Sequence, residues 1–210
     1  MKNTKQKILD AALSLFNRDG YVNVRLQHIA DKAGMSIGNQ GYHFKHKEEM
    51  LLAIYQRLSA EQRRLLTDTS LSPIFANFDF FISSLFELQQ KFAFFYLDML
   101  EVIRANEKLK SQQQEQIQWQ QTQLALLLQM HEARGVMNWQ DSNISLEETA
   151  QHLWRMMDFW LIMQKIEGKE TSDFEAYRHS VWGVIKPFFT TQGAIEFDQL
   201  NALQEPIKLG

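Results

Sequence analysis

The stretch Leu26–Lys47, LQHIADKAGMSIGNQGYHFKHK, predicts two short helices separated by a turn. The first helix carries apolar residues spaced i, i+3 and i+4 on one face: Leu26, Ile29 and Ala30. Gly34 interrupts this pattern, and glycine is the usual residue where a helix ends in a left-handed conformation. Ser36 follows as a cap for a second helix over residues 37–44. Two such helices joined by a short turn are typical of a helix-turn-helix, whose second helix enters the major groove of DNA.

The second predicted helix carries side chains suited to reading DNA. Asn and Gln amides bind the N6/N7 edge of adenine, while hydroxyl and cationic side chains suit phosphates. We expect base-edge positions at Ser36, Ile37, Gly38, Asn39 and Gln40. We expect phosphate contacts from Arg25, Tyr42, His43, Lys45 and Lys47. Gln27 is also expected to contact DNA. For Ile37, contact with a thymine methyl group and partial burial in the protein are both open.

Two glycines lie inside this short helix, where each costs roughly 1 kcal/mol relative to alanine. Gly38 and Gly41 would allow the helix to approach a DNA backbone closely. Such an approach explains why glycines stand at these two positions, whereas helix stability does not. The competing interpretation of the whole stretch is an ordinary polar surface helix.

Charge is distributed unevenly along the chain, whose formal net charge is −3. Residues 1–50 carry 8 Lys and Arg against 5 Asp and Glu, a balance of +3. Residues 51–210 carry 14 basic and 20 acidic residues, a balance of −6. This asymmetry fits a chain with one end facing phosphate. The lysines near the N-terminus are either a solvated tail or a basic arm on DNA: Lys2, Lys5 and Lys7.

Composition narrows the class of protein. The 210 residues are 45% hydrophobic and include no cysteine, so a sizeable core is possible and disulfides are excluded. The N-terminus is amphipathic and does not resemble a signal peptide. The most apolar region, residues 74–100, is interrupted by four charged residues, so no membrane span is expected. We therefore expect a cytoplasmic protein that does not bind membranes.

The rest of the chain has helical periodicity, and no strand-like alternation is seen. Helices are expected over residues 4–19, from Lys47 to about Leu66, over 74–90, over 92–103, through a Gln-rich stretch ending at Gly135, from Ser145 to about Ile166, and from Thr171 or Ser172 to about Phe189. One short helix is expected after Gly193. The prediction is an all-α chain with a three-helix DNA-binding domain over residues 1–48 and a larger helical domain over residues 49–210.

No motif for enzyme chemistry is present, so we expect no catalytic residue and no cofactor. The sequence contains no HExxH, no Gly-rich phosphate loop after a strand and no nucleophile elbow. His43 and His46, spaced i and i+3, have the spacing to share a metal ion. Their place beside the groove-reading helix favours phosphate contact instead, and we expect no metal site.

The N-terminal quarter resembles the TetR family of bacterial transcriptional regulators. The residues that carry the resemblance are KQKILDAALSLFNRDGY, IADKAGMSIGN and YHFKHKEEML, in that order and at the family's spacing. Two positions depart from the family pattern. Val24-Arg25 stands where the family usually has Thr, and Gly41 stands where it usually has Tyr, which affects operator affinity and sequence preference more than the fold.

The resemblance implies a homodimer and a small-molecule effector site in the larger domain. Family members dimerise through a four-helix bundle of their last two long helices, and the residues expected there are Leu153, Trp160, Tyr177, Val181, Trp182 and Ile185. An apolar or aromatic effector would contact Phe78, Phe81, Phe95, Met99, Trp119, Trp154 and Met157. Taken singly, each of these aromatic and Met residues is more often ordinary core than pocket lining.

The function expected from these patterns is a homodimeric regulator, a repressor that binds a palindromic double-stranded DNA operator and is released by its effector. The alternative is a ligand-binding or protein-interaction module whose DNA-binding head lacks specific recognition. Gly41 motivates that alternative, and protection of a defined palindrome would exclude it.

Overall fold

The computed structural model describes residues 4–204, which form eleven α-helices, one 3-10 helix and no β-strand. The α-helices are α1 (Thr4–Asp19), α2 (Leu26–Lys32), α3 (Ile37–His43), α4 (Lys47–Ser70), α5 (Phe75–Lys91), α6 (Ala93–Leu97), α7 (Met99–Ala105), α8 (Glu107–Ala133), α9 (Leu146–Ile166), α10 (Phe174–Ile185) and α11 (Thr191–Gln204). The 3-10 helix spans Lys186–Phe188. The all-α fold class predicted from the sequence is confirmed.

Local sequence determines the ends of the helix-turn-helix. Gly34 has a φ of 69°, the left-handed conformation that favours glycine, and it lies in the turn between α2 and α3. The Ser36 hydroxyl accepts the backbone N–H of Asn39 at 3.2 Å and caps α3 as predicted. Phe44 ends α3 and is buried, as expected for a residue that closes the small core.

The chain forms two compact units, each built from two separate segments. The first unit is Met1–Gln62 with Leu88–Gln116, and the second is Arg63–Glu87 with Ile117–Gly210. Helices α4, α5 and α8 therefore each contribute residues to both units. The division at residue 48 follows the sequence motif and not this packing, so those domain limits stay a prediction.

In the first unit, α1 is anchored to the start of α6. The rings of Phe16 and Phe94 pack with centroids 5.3 Å apart. Beside them, the Asn17 side-chain amide donates to the Lys91 carbonyl at 2.9 Å and accepts the Phe94 backbone N–H at 3.1 Å. Asn17 thus satisfies two backbone groups where α5 ends and α6 begins.

The helix predicted over residues 92–103 is wrong as a single element. Asp98 has φ −110° and ψ 23°, which lies outside the helical region and separates α6 from α7. Apolar periodicity continues across this break, and the periodicity alone therefore does not reveal it. The short helix expected after Gly193 is also wrong in extent, because α11 has 14 residues and begins at Thr191.

In the second unit, aromatic side chains surround Trp182. Its ring lies 5.2 Å from Phe75 and 4.8 Å from Phe197, centroid to centroid. The Trp182 indole N–H donates to Asp79 at 2.7 Å, and the same carboxylate oxygen accepts the Arg178 guanidinium at 2.6 Å. Because Asp79 is buried, this paired carboxylate ties α5 to α10 inside the unit.

Helix caps in the second unit agree with the sequence at α9 and differ at α10. Ser145 and Glu148 form the predicted capping box, with reciprocal bonds of 3.1 and 2.8 Å. The cap of α10 is Asp173, whose carboxylate accepts the Ala176 N–H at 2.9 Å, instead of Thr171 or Ser172. An Asp cap satisfies the same orphan N–H that a hydroxyl would.

Candidate nucleic-acid interface

Helix α3 presents one continuous exposed edge. Ser36, Ile37, Gly38 and Asn39 are all exposed, and Tyr42 is 86% exposed one turn further on. Because Ser36 caps α3 through an oxygen lone pair, its hydroxyl hydrogen stays available to donate. A Cβ placed on Gly38 or Gly41 would meet no atom within 4 Å, so packing inside this chain does not require either glycine.

The base-edge prediction is wrong for Gln40. This residue is 0% exposed, and its amide donates to the Phe44 carbonyl at 2.7 Å. The period of α3 turns Gln40 inward while Asn39 faces outward. Gln40 therefore holds the C-terminal end of α3 and does not reach a base.

The phosphate-contact prediction is also wrong for Lys47. Its ammonium donates to the carbonyl oxygens of Tyr21, Val24 and Val22 at 2.7, 2.9 and 3.3 Å. It also lies 4.2 Å from the centroid of the Tyr21 ring. An ammonium has three N–H donors, and all three are used here. Burial lowers the pKa of Lys47 from its ordinary value. Lys47 thus tethers the loop between α1 and α2.

The other predicted DNA contacts lie on accessible positions of the motif. Arg25, Gln27 and Lys45 are exposed, and His43 is half-buried with its ring 5.3 Å from that of Tyr42. The Gln27 amide donates to Asp31 at 2.7 Å, so a DNA contact would compete with that bond. Their contacts with DNA stay predictions.

The residues predicted to contact an effector do not share one unit. Phe95 is buried and Met99 is half-buried in the first unit. The remaining five belong to the second unit, four of them buried: Phe78, Phe81, Trp119, Trp154 and Met157. Trp119 is the half-buried one, and the guanidinium of Arg63 lies 4.5 Å from the centroid of its ring. Their role in effector binding stays a prediction.

The residues predicted at the dimer interface belong to the core of the second unit. All six are buried inside the protomer: Leu153, Trp160, Tyr177, Val181, Trp182 and Ile185. Five of these residues have no exposed area and Trp160 is 9% exposed, so they offer almost no surface to a second copy unless their helices separate, and this assignment needs correction. The same helix α9 instead exposes Phe159, Met163 and Ile166, at 41, 46 and 71%. These are spaced i, i+4 and i+7, on one face.

Sequence patterns missed two sets of polar residues in the first unit. Asn17 anchors α1 to α6, and Gln62 and Gln116 are buried within helices α4 and α8. A signal for the second set exists, because glutamines at inward positions of an amphipathic helix interrupt its apolar face. Within residues 4–204, no helix is long and apolar enough to cross a membrane, and no group of three acidic or histidine side chains is placed to hold a metal ion.

Two family models match almost the entire helical chain. A model described as bacterial regulatory proteins, tetR family, matches residues 8–54. A second TetR model, described as bacterial transcriptional repressor, matches residues 55–197. The first match covers the helix-turn-helix and the second covers more than half of the chain.

Curated relatives match the N-terminal region. The chain is 40% identical over 67 residues to the uncharacterized HTH-type transcriptional regulator TtgW of Pseudomonas putida, covering 32% of this chain and 48% of TtgW. It is 39% identical over 54 residues to the HTH-type transcriptional regulator RutR of Escherichia coli (strain K12), covering 26% of each. These matches span about half of TtgW and a quarter of RutR, so they inform on the motif and not on the larger domain.

Solved structures match the whole fold. A TetR-family transcriptional regulator from Marinobacter aquaeolei VT8 superposes with a TM-score of 0.83 at 20% identity, over 96% of this chain and 98% of that one. A putative transcriptional regulator from Saccharomonospora viridis, solved in complex with choline, superposes with a TM-score of 0.69 at 24% identity, over 87% and 95%. At these identities the likeness concerns the fold alone. Together with the two family models, the helix-turn-helix and the helical domain show that this chain belongs to the TetR family of bacterial transcriptional regulators.

Proposed function

We propose that this regulator is a homodimeric repressor of the cytoplasm that binds a palindromic operator and is released by a small molecule. The single observation that supports operator reading best is the exposed edge of α3, where polar and glycine positions face outward without packing constraints. A dimer offers two such edges to two half-sites.

We assign a role to each side chain of the motif according to whether it is exposed or buried. Ser36, Ile37 and Asn39 are exposed at the start of α3, and we assign them to base edges, with Ile37 suited to a thymine methyl group. Tyr42 lies in the last turn of α3 and Lys45 follows its end, and both exposed side chains suit phosphates. Gln40 and Lys47 support these residues from behind through their bonds to the backbone.

The exposed face of α9 is the surface we assign to dimerisation. Phe159, Met163 and Ile166 form an apolar stripe, and on α10 the outward position Gly183 would allow a partner helix to approach closely. Met163→Glu should give a monomer in sedimentation experiments and a large loss of operator affinity. Ile195→Glu, a similarly exposed apolar position on α11, is the matched control and should leave the dimer intact.

Release by an effector requires the small molecule to bind one conformation of the dimer better than the other. Within the first unit, the contact between α1 and α6 supports such a release. The Phe94 N–H on α6 donates to the Asn17 side chain on α1, so a displacement of α6 would also act on α1. The similar regulator from Saccharomonospora viridis was solved with choline, which shows that this fold accommodates a small ligand in that protein.

The experiment that tests the function is selection of bound sites from random duplex DNA at two salt concentrations. We expect a single palindrome with two half-sites, retained at the higher salt. A steep salt dependence without an enriched sequence would mean phosphate attraction alone and would refute specific recognition.

A further inference from the structure

A chain of hydrogen-bonded neutral side chains is buried in the first unit. The Gln116 amide on α8 donates to the Gln62 side-chain oxygen on α4 at 3.3 Å. The Gln62 amide in turn donates to the Tyr96 hydroxyl on α6 at 2.9 Å. Gln116, Gln62 and Tyr96 are 1, 5 and 1% exposed. Three helices are thus joined by polar groups where an α-helical core normally has apolar ones.

The Gln116 end of this chain has an acceptor that no described donor satisfies, and α8 carries a second such acceptor at Gln112. The side-chain oxygens of Gln116 and Gln112 are both buried and have no hydrogen-bond partner among the described residues. The two glutamines are spaced i and i+4, so their side chains lie on one face of α8, one turn apart. A buried acceptor without a partner destabilises the folded chain, so such groups are commonly reserved for a ligand or an ordered water.

The polarity of the chain indicates what kind of ligand fits. Both hydrogen bonds run in one direction, from Gln116 to Gln62 to Tyr96, which leaves the side-chain oxygen of Gln116 without a described donor at the α8 end. This oxygen, like that of Gln112, accepts and cannot donate. The interacting side chains are all uncharged, and a buried charged ligand would lack a counter-charge among them. The complementary ligand is a neutral molecule that presents N–H or O–H donors.

We propose that Gln112 and Gln116 recognise the effector of this regulator through its hydrogen-bond donors, and that the effector is a small uncharged amide, N-heterocycle or alcohol. This inference rests on the proposed release by a small molecule, and it adds hydrogen-bond donors to the apolar or aromatic effector expected from the sequence. The glutamine–tyrosine chain also reaches α6, the helix whose Phe94 is held by Asn17, so ligand binding acts close to the anchor of the DNA-binding motif.

Matched probe pairs test the proposal in thermal unfolding of the full-length protein. Benzamide and acetophenone differ in the N–H donors of the amide, and indole and 1-methylindole differ in a single N–H. We expect the donor-bearing member of at least one pair to raise the unfolding temperature while its partner does not. Equal shifts from both members of each pair, or no shift from any probe at millimolar concentration, would overturn the proposal.

Variants test whether probe binding depends on Gln112 and Gln116. Gln112→Met and Gln116→Met keep side-chain length and remove the acceptors, and Gln116→Met also removes the donor to Gln62. Each variant should require about tenfold more of the active probe for the same shift. Gln114→Met, an exposed position on the same helix, is the control and should respond like the wild type. If Gln112→Met lowers the unfolding temperature of the ligand-free protein, the Gln112 amide stabilises the fold without a ligand and the proposal fails.

Operator binding measured in parallel separates this inference from the proposed function. A donor-bearing probe that binds through Gln112 and Gln116 and weakens operator binding supports both. A probe that binds through these residues and leaves operator affinity unchanged supports the site and refutes release by a ligand at that site.

Discussion

Lys45 and Lys47 are two residues apart, and the structure predicts opposite consequences for their replacement by methionine. Lys47 donates three hydrogen bonds to backbone carbonyls of the loop between α1 and α2, at 2.7, 2.9 and 3.3 Å. Hydrogen bonds from a charged group contribute roughly 1.5–3 kcal/mol each when buried. Lys47 is only half-buried, so we expect Lys47→Met to lower the free energy of unfolding by about 2–3 kcal/mol in total.

Lys45 has an exposed side chain, and its replacement should change the free energy of unfolding by less than about 0.5 kcal/mol. As a phosphate contact it should instead flatten the dependence of log affinity on log salt by about one per protomer. Lys47→Met should leave that slope unchanged, because its ammonium already binds the loop.

The assays are urea unfolding at a fixed protein concentration and operator titrations at four salt concentrations. Both variants and the wild type are compared under the same conditions, since dimer dissociation makes apparent stability depend on concentration. A Lys47→Met protein with wild-type stability and a flattened salt slope would refute the assignment of Lys47 to loop support.

Three further predictions concern residues whose burial and contacts are seen only in the tertiary structure. Asn39→Ala should weaken operator binding by about 1–3 kcal/mol and relax preference at one base pair, whereas Gln40→Ala should chiefly lower stability; the reverse result would contradict the orientation of α3. Gly193→Ala should lower the free energy of unfolding by about 2–4 kcal/mol in urea, because its Cβ would overlap the Val136 carbonyl; an increase, as helix propensity alone predicts, would contradict the close approach. Burial raises the pKa of Asp158 to about 7, so the folded state keeps a proton that the unfolded state releases, and stability from this group falls as pH rises from about 4 to 7. Asp158→Asn should therefore gain stability relative to the wild type across that window, and stability curves of the two proteins that stay parallel from pH 4 to 8 would argue against it.

Much of the local structure follows from the sequence, because helix ends depend on residues a few positions apart. Gly34, the Ser36 cap and the Ser145–Glu148 capping box are short-range features, and each is where the pattern indicates. The break at Asp98 is an exception, since the residues around it keep an apolar helical pattern while the backbone leaves the helix.

The sequence predicts the candidate site less completely than the helix ends, because a residue type shows what a side chain can bind and not which way it points. The sequence alone shows the two helices of the motif with the turn between them and the excess of basic charge before residue 50. Both features indicate DNA binding. Gln40 and Lys47 have the right chemistry for DNA, yet α3 turns one inward and the loop carbonyls occupy the other.

Long-range packing decides what apolar patterns leave open. A helix that is apolar on several faces shows that it is buried, but not which face meets its own chain and which meets a copy. Only the tertiary structure places Trp160 and Trp182 in the protomer core and Phe159, Met163 and Ile166 at its surface. Likewise, residues 62, 96 and 116 are far apart in sequence, and only folding joins their side chains into one polar chain. The sequence by itself therefore determined the helices and the DNA-binding motif, which depend on neighbouring residues, whereas tertiary packing decided which side chains are free to bind.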